Sequence, residues 1–296
     1  MLKIENVSKS YGNLKAVDNL TFSVNKGEIF GLLGANGAGK TTTFRMILSL
    51  LDSDTGKITL DNKKIDYKTM EKIGFVTEER SLLPKLTVKE QILYYGRLKG
   101  MDEEEILDKL NKLLSDFGIE EYLNKKIKEL SKGNQQKIQF ISAIINDPVL
   151  LILDEPFTGL DPINVKLMKD AIYKLKEQGC MIIFSSHQME HIEEFCEKMV
   201  LLVKGKSILE GYVKDIKKNY QKMNIFIKGN INIDELKEIT GVEKVIRIGD
   251  EINVKIKDKT IVSKVFSKIK KYDIQKFVVE EASLNEIFID KVGEIL

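Results

Sequence analysis

From Leu2 to Val7 the chain alternates apolar and polar residues, the period of a strand with one buried face. A second strand is predicted over Ala16–Val24, and the turn Asn25-Lys26-Gly27 leads into the continuous apolar run Ile29-Phe30-Gly31-Leu32-Leu33, suited to a fully buried strand. Thr42–Leu48 continues as a helix, Lys57–Asp61 as a strand turning at Asn62, and Ile73-Gly74-Phe75-Val76 as a short buried strand. The period then changes. Over residues 87–146, Leu and Ile recur at helical spacing among dense Glu and Lys, which predicts a helical insertion within an α/β core. Strand patterns return at Val149–Leu153 and Met181–Phe184, with a helix over about 162–178 between them. Val200–Val203 and Lys206–Glu210 read as a hairpin around Lys204-Gly205.

The pattern beyond about residue 218 differs again. Strands are predicted at Met223–Ile227, Val242–Ile248, Glu251–Ile256 and Ile274–Val279, with helices over Asp234–Thr240, Ile261–Ile269 and Ser283–Val292. Ser283 and Glu286 have the spacing of a capping box. The order βαββαβα fits a small α+β, ferredoxin-like sandwich. The expected organisation is therefore residues 1–218 as a larger α/β domain, with its helical subdomain at about 87–146, and 219–296 as an accessory domain.

Composition narrows the class. The chain has 296 residues, 43% hydrophobic and 31% charged, an ordinary globular balance. Its 47 basic and 45 acidic residues give a net charge of +2, so no global field favours nucleic acid or an acidic membrane. Cys180 and Cys196 lack metal-ligand spacing and are read as reduced thiols in or near the core. No secretory leader opens the chain and no apolar stretch approaches the ~20 residues of a membrane span, which points to a cytosolic chain, or one peripheral through a partner.

Gly34-Ala35-Asn36-Gly37-Ala38-Gly39-Lys40-Thr41 matches G-x-x-x-x-G-K-[ST], between a strand and a helix. Glycines let the backbone curl so that several N–H groups face one phosphate, and the helix N-terminus adds its dipole. The motif assigns Asn36, Gly37, Gly39, Lys40, Thr41 and Thr42 to the phosphates of a nucleotide, with Lys40 reaching the β- and γ-phosphates and Thr41 holding Mg²⁺. Leu150–Leu153 ends in Asp154-Glu155, carboxylates at the tip of a buried strand. Asp154 there would bind Mg²⁺, directly or through water, and Glu155 would orient or deprotonate an attacking water. Ser131 and Gly133 open another helix, whose N-terminus suits an anion; a plain N-cap is the simpler reading of these two residues alone.

Together these motifs resemble the ATP-binding subunits of ABC transporters over residues 1 to about 215. Walker A is Gly34–Thr41, the signature is Leu130-Ser131-Lys132-Gly133-Asn134, and Walker B is Leu150–Asp154. The D-loop is Gly159-Leu160-Asp161-Pro162 and the switch histidine is His187. The resemblance implies a P-loop NTPase with a RecA-like core and an antiparallel β subdomain, ATP and Mg²⁺ as ligands, and an adenine stacked on Tyr11. It implies Glu155 and His187 as catalytic residues, and Thr41, Asp154 and Glu78 around the metal. Glu78 occupies the usual Q-loop glutamine position, and Lys132 and Asn134 replace a glycine and a glutamine of the common signature. His191 lacks motif support and is assigned to a helix surface.

The resemblance further implies a head-to-tail homodimer in which Ser131 and Gly133 of one copy close over ATP held by the other. It implies an integral-membrane permease subunit docked near residues 78–100, including Pro84, Tyr94 and Tyr95, on the inner face of the cell membrane. The C-terminal segment and Glu78-Glu79-Arg80 resemble bacterial exporter ATPases of the sodium-export and antibiotic-resistance type. That segment could dimerise, dock a partner, sense a ligand or simply pack. An importer ATPase is one alternative. Another is a soluble ABC protein of the ribosome or DNA, against which stand the single cassette, the missing coiled coil and the near-neutral charge.

Overall fold

A computed structural model describes residues 1–293. The chain divides into two compact units, one from Met1 to Glu210 and one beginning at Gly211. In chain order the elements of the first are β1 (Leu2–Tyr11), β2 (Leu14–Val24), β3 (Ile29–Leu33), α1 (Lys40–Ile47), β4 (Thr55–Leu60), β5 (Lys63–Lys64), α2 (Tyr67–Met70) and β6 (Ile73–Val76). Then come α3 (Val88–Leu98), α4 (Glu103–Asp116), α5 (Lys132–Ile144), β7 (Leu150–Asp154), α6 (Pro162–Glu177), β8 (Met181–Ser186), α7 (Met189–Phe195), β9 (Lys198–Val203) and β10 (Lys206–Tyr212).

Among the described residues ten strands share one sheet, in the order β5-β4-β1-β2-β10-β9-β3-β8-β7-β6. Its two halves follow from two hydrophobic patterns. β3, β7 and β8 are buried at every position, and they pair in parallel, as continuous apolar runs do when both faces are covered. β1 and β2 carry polar residues on an outer face and pair antiparallel, with β1 also antiparallel to β4. After β3 the chain adds β4 and β5 at one edge, crosses to β6 at the other and returns through β7 and β8, while β9 lies on the other side of β3. This reversal opens a crevice beyond the C-terminal end of β3, where open α/β sheets hold ligands.

Local chemistry starts the helices. Thr87 and Glu90 form a reciprocal capping box at α3, and Asp161 caps α6 with Pro162 in the first turn. Ser131 caps α5, its hydroxyl accepting the Asn134 N–H at 3.2 Å. Gly74 lets α5 lie against β6: a Cβ there would stand 2.4 Å from the Ala143 carbonyl oxygen.

The second unit comprises α8 (Val213–Asn219), β11 (Met223–Gly229), α9 (Ile233–Lys237), β12 (Val242–Ile248), β13 (Glu251–Ile256), α10 (Ile261–Ile269), β14 (Ile274–Glu281) and α11 (Leu284–Gly293). Its sheet, ordered β12-β13-β11-β14 and antiparallel throughout, has ferredoxin-like topology. Ile225, Ile227, Ile252 and Val254 alternate onto the face that packs with Leu236 of α9 and Val265 of α10. The Ser283–Glu286 capping box forms, with Glu286 N–H donating to Ser283 Oγ at 3.3 Å and Ser283 N–H to Glu286 Oε2 at 3.1 Å.

Both cysteines are free and buried, and burial pushes the Cys180 thiol up to about 12 and Cys196 well above its usual value. At pH 8 a thiol reagent is expected to titrate neither cysteine in the folded protein and both after denaturation; reaction of folded protein would contradict their burial. Gly74→Ala is expected to cost about 1–3 kcal/mol through overpacking against α5, read as a lower unfolding midpoint.

Candidate nucleotide site

The loop after β3 is shaped by backbone approach. Gly37 and Gly39 have φ of 80° and 112°, the left-handed region that favours glycine. A Cβ at Gly39 would lie 2.4 Å from the Ala16 carbonyl oxygen, and one at Gly34 would lie 2.7 Å from that of Leu202. Lys40, 7% exposed, folds back over this loop, and its Nζ donates to the Gly34 carbonyl at 2.6 Å. Thr43 Oγ1 donates to the Gly39 carbonyl at 2.9 Å, closing the first turn of α1, while Thr41 is exposed.

A cavity of about 470 Å³ opens over the loop. Tyr11, Asn36, Gly37, Gly39, Lys40, Thr41, Thr42, Glu78 and Asp154 all line it. They come from β1, the phosphate loop, α1, the segment after β6 and the tip of β7. The strand order explains the reach: β3 and β7 are separated only by β8, so their tips stand roughly 10 Å apart. Leu14, Lys15, Ala16 and Lys204 also line the cavity, and none of them stands out in the sequence. Lys204 arrives through the turn between β9 and β10, where Gly205 N–H donates to the Ala38 carbonyl at 3.0 Å. Nothing local marks Lys204, because only the sheet order brings that turn to the loop.

Asp154 and Glu155 have separate surroundings. Asp154, 5% exposed, accepts the Ser185 hydroxyl at 2.5 Å. Burial raises its pKa first, and the Glu155 and Glu78 charges add to that against the Lys40 ammonium. Among the described residues no three His, Cys, Asp or Glu gather as a metal site of their own. Thr41, Asp154 and Glu78 nevertheless line one cavity, where the two carboxylates stand among Lys15, Lys40 and Lys204. Such a hard, sparse donor set fits Mg²⁺, which keeps waters and takes phosphate oxygens rather than a full protein cage.

Glu155 does not line the cavity. It sits at φ 50° directly after β7, and its Oε1 accepts twice from His187, from the backbone N–H at 2.6 Å and from ring Nδ1 at 2.8 Å. Among the described residues Oε2 meets only the Ser186 hydroxyl, at 3.3 Å. The carboxylate makes Nδ1 the donor, leaving the other ring nitrogen, Nε2, free of this pair. Ser131 and Gly133 stand outside the cavity, with Gly133 beside Leu160 of the loop preceding α6. Asp161 is held locally by the Asn164 backbone and side-chain amides, at 2.9 and 2.6 Å. His191 is half-buried rather than superficial, its ring edge-on to Phe157 at 5.2 Å, and burial lowers its pKa.

Residues 17–158 match the ABC transporter family, and residues 211–292 match the C-terminal domain of DrrA1-3-like ATP-binding proteins. An uncharacterized ABC transporter ATP-binding protein of Bacillus subtilis, YhaQ, is 47% identical across 100% of this chain and 99% of its own. The chain belongs to the ABC transporter ATP-binding family. The linearmycin resistance ATP-binding protein LnrL of the same organism is 36% identical over 73% of this chain and 70% of its own. The dimeric cassette MJ0796, also solved in a post-hydrolysis state with ADP and Pi, is 28% identical with TM-score 0.66 over 72% of this chain and 99% of its own. Members of this family bind and hydrolyse ATP and act with membrane permeases. Among the described residues no helix is long and apolar enough to cross a membrane.

Proposed function

We propose that this chain is the ATP-hydrolysing subunit of an exporter, working as a head-to-tail dimer on a separate permease at the cytoplasmic face of the cell membrane. The observation that carries the reading is the division of the site. The phosphate loop, Glu78 and Asp154 line one cavity, whereas Ser131 and Gly133, at the N-terminus of α5, stand outside it. A second copy supplying those two residues would complete it. Export is supported by the names of relatives, among them LnrL and the Nod factor export ATP-binding protein I of Rhizobium etli.

In this reading the loop N–H groups and Lys40 bind the β- and γ-phosphates, and the Tyr11 ring, 47% exposed on the cavity, stacks on adenine. Thr41, Asp154 and Glu78 would hold Mg²⁺, which when bound neutralises phosphate charge. Glu155 Oε2, the oxygen left open by His187, accepts the proton of the attacking water. Water oxygen bonds to the γ-phosphorus as the bond to the β–γ bridging oxygen breaks, giving ADP and phosphate. His187 fixes the carboxylate through its backbone N–H and ring Nδ1.

A groove of about 240 Å³ lies over β6, between α3 and α5, lined by Leu50, Phe75, Leu82 and Tyr95 among others. Leu50, Tyr94 and Leu98, 68%, 48% and 55% exposed, add apolar surface that supports permease docking there.

Glu155→Gln is expected to lower turnover by roughly 10²–10⁴-fold while retaining ATP binding and accumulating an ATP-bound dimer, measured by phosphate release and light scattering. Unchanged turnover would refute the role of Glu155. Tyr11→Ala should weaken ATP binding by the ~1–3 kcal/mol of an aromatic stack and Tyr11→Phe should not, as read by calorimetric titration. Purification from native membranes should bring down an integral-membrane protein with several apolar spans; its consistent absence would count against the exporter.

A further inference from the structure

Gln139 lies on α5 about two turns from Ser131, 3% exposed, with an unevenly used amide. Its Nε2 donates to the Thr77 carbonyl at 3.0 Å and the Thr77 hydroxyl at 2.9 Å, with the Glu79 carbonyl at 3.4 Å. Its Oε1 is buried with no hydrogen-bond partner among the described residues. Flipping the amide would set that oxygen against two carbonyl oxygens, so the observed orientation is the one the loop dictates. An unpaired buried carbonyl is destabilising. The side chain is therefore poorly explained as a device for stability.

Its targets flank Glu78 on both sides. Thr77 is further tied by its hydroxyl, which donates to the Glu79 carbonyl and lies 3.3 Å from Ser81 Oγ. Deeper along the loop, buried Gln91 on α3 accepts the Leu83 N–H at 2.8 Å through Oε1, while its Nε2 has no partner among the described residues. The loop is thus pinned from the interior by two glutamines, each bonded through only one end of its amide. Gln136, one turn before Gln139, donates to the Pro156 carbonyl at 3.2 Å, directly after Glu155. Helix α5, which begins at the signature, thereby grips the backbone beside both Glu78 and Glu155. Gln139 also lines the groove over β6, while Glu78 lines the nucleotide cavity.

We propose that Gln139 is a positioning residue that fixes where Glu78 stands at the nucleotide cavity, making α5 the mechanical link between the signature and the Glu78 loop. This rests on the reading of Glu78 as a participant in the Mg²⁺–ATP site. The bonds run to backbone on either side of Glu78, so loosening them displaces its carboxylate without altering its chemistry.

Gln139→Met keeps the length of the side chain, removes the donors and removes the orphaned carbonyl. Gln139→Glu keeps the shape and sets carboxylate oxygens against Thr77 and Glu79, so it gives the same reading should the methionine variant fail to fold. Both are compared with Glu78→Ala and with the Gln139→Met/Glu78→Ala double variant in the full chain. Readouts are calorimetric ATP titrations with and without magnesium, and melting temperature. Gln139→Met is expected to raise the Mg²⁺ concentration for half-maximal enhancement of ATP binding by about 3- to 10-fold, the equivalent of one hydrogen bond. Affinity without magnesium and the melting temperature should hold, and the double variant should be no worse than Glu78→Ala alone. Wild-type magnesium dependence in the folded Gln139 variants beside a loss in Glu78→Ala overturns this inference alone, as do effects that multiply in the double variant. Wild-type magnesium dependence in Glu78→Ala overturns the reading of Glu78, and this inference with it.

Discussion

The site depends on backbone packed against backbone around one carbonyl, that of Ala16. A Cβ on Gly39 would approach it to 2.4 Å and one on Gly205 to 2.8 Å, so the phosphate loop and the β9–β10 turn both close on β2 where only glycine fits. Gly205 N–H then bonds the Ala38 carbonyl at 3.0 Å, and its carbonyl accepts the Asp18 N–H at 2.8 Å. Three segments distant in sequence thus form one rigid seat. The Lys40 ammonium folds onto the Gly34 carbonyl inside that seat, and the exposed N–H groups of the loop are left for an anion.

Negative charge is arranged about this seat with different degrees of freedom. Asp154 is buried and tied to Ser185 through strand pairing, since the two residues are register partners in β7 and β8. Glu155, one residue later, has left the strand in a left-handed conformation and turns to His187. A one-residue step at a strand end therefore separates a carboxylate facing the cavity from one turned toward the end of β8. Strain of this kind at non-glycine residues recurs at functional sites.

Helix α5 connects these features. Gly74 admits it tightly against β6, and this approach brings Gln139 to the Glu78 loop and Gln136 to Pro156. The signature at its N-terminus, the loop bearing Glu78 and the turn bearing Glu155 are thus carried by a single packed element.

Much of this was legible in the chain. The continuous apolar runs of β3, β7 and β8 marked buried parallel strands, and the second unit follows the βαββαβα order read from its pattern, because periodicity reports which faces are buried. The phosphate loop and the Asp154-Glu155 pair were visible because their chemistry is contiguous in sequence. Lys204, the Ala16 carbonyl, the Glu155–His187 pairing and the hold of Gln139 on residues 77 and 79 were not. Each arises from strand order or from the approach of a helix to a strand, and neither leaves a local pattern. The sequence by itself determined the elements and the chemical groups, since propensity, burial period and motif spacing act within a few residues. Only the tertiary structure decided which groups share a cavity and which stand apart from it, because those distances are set by the packing of segments far apart along the chain.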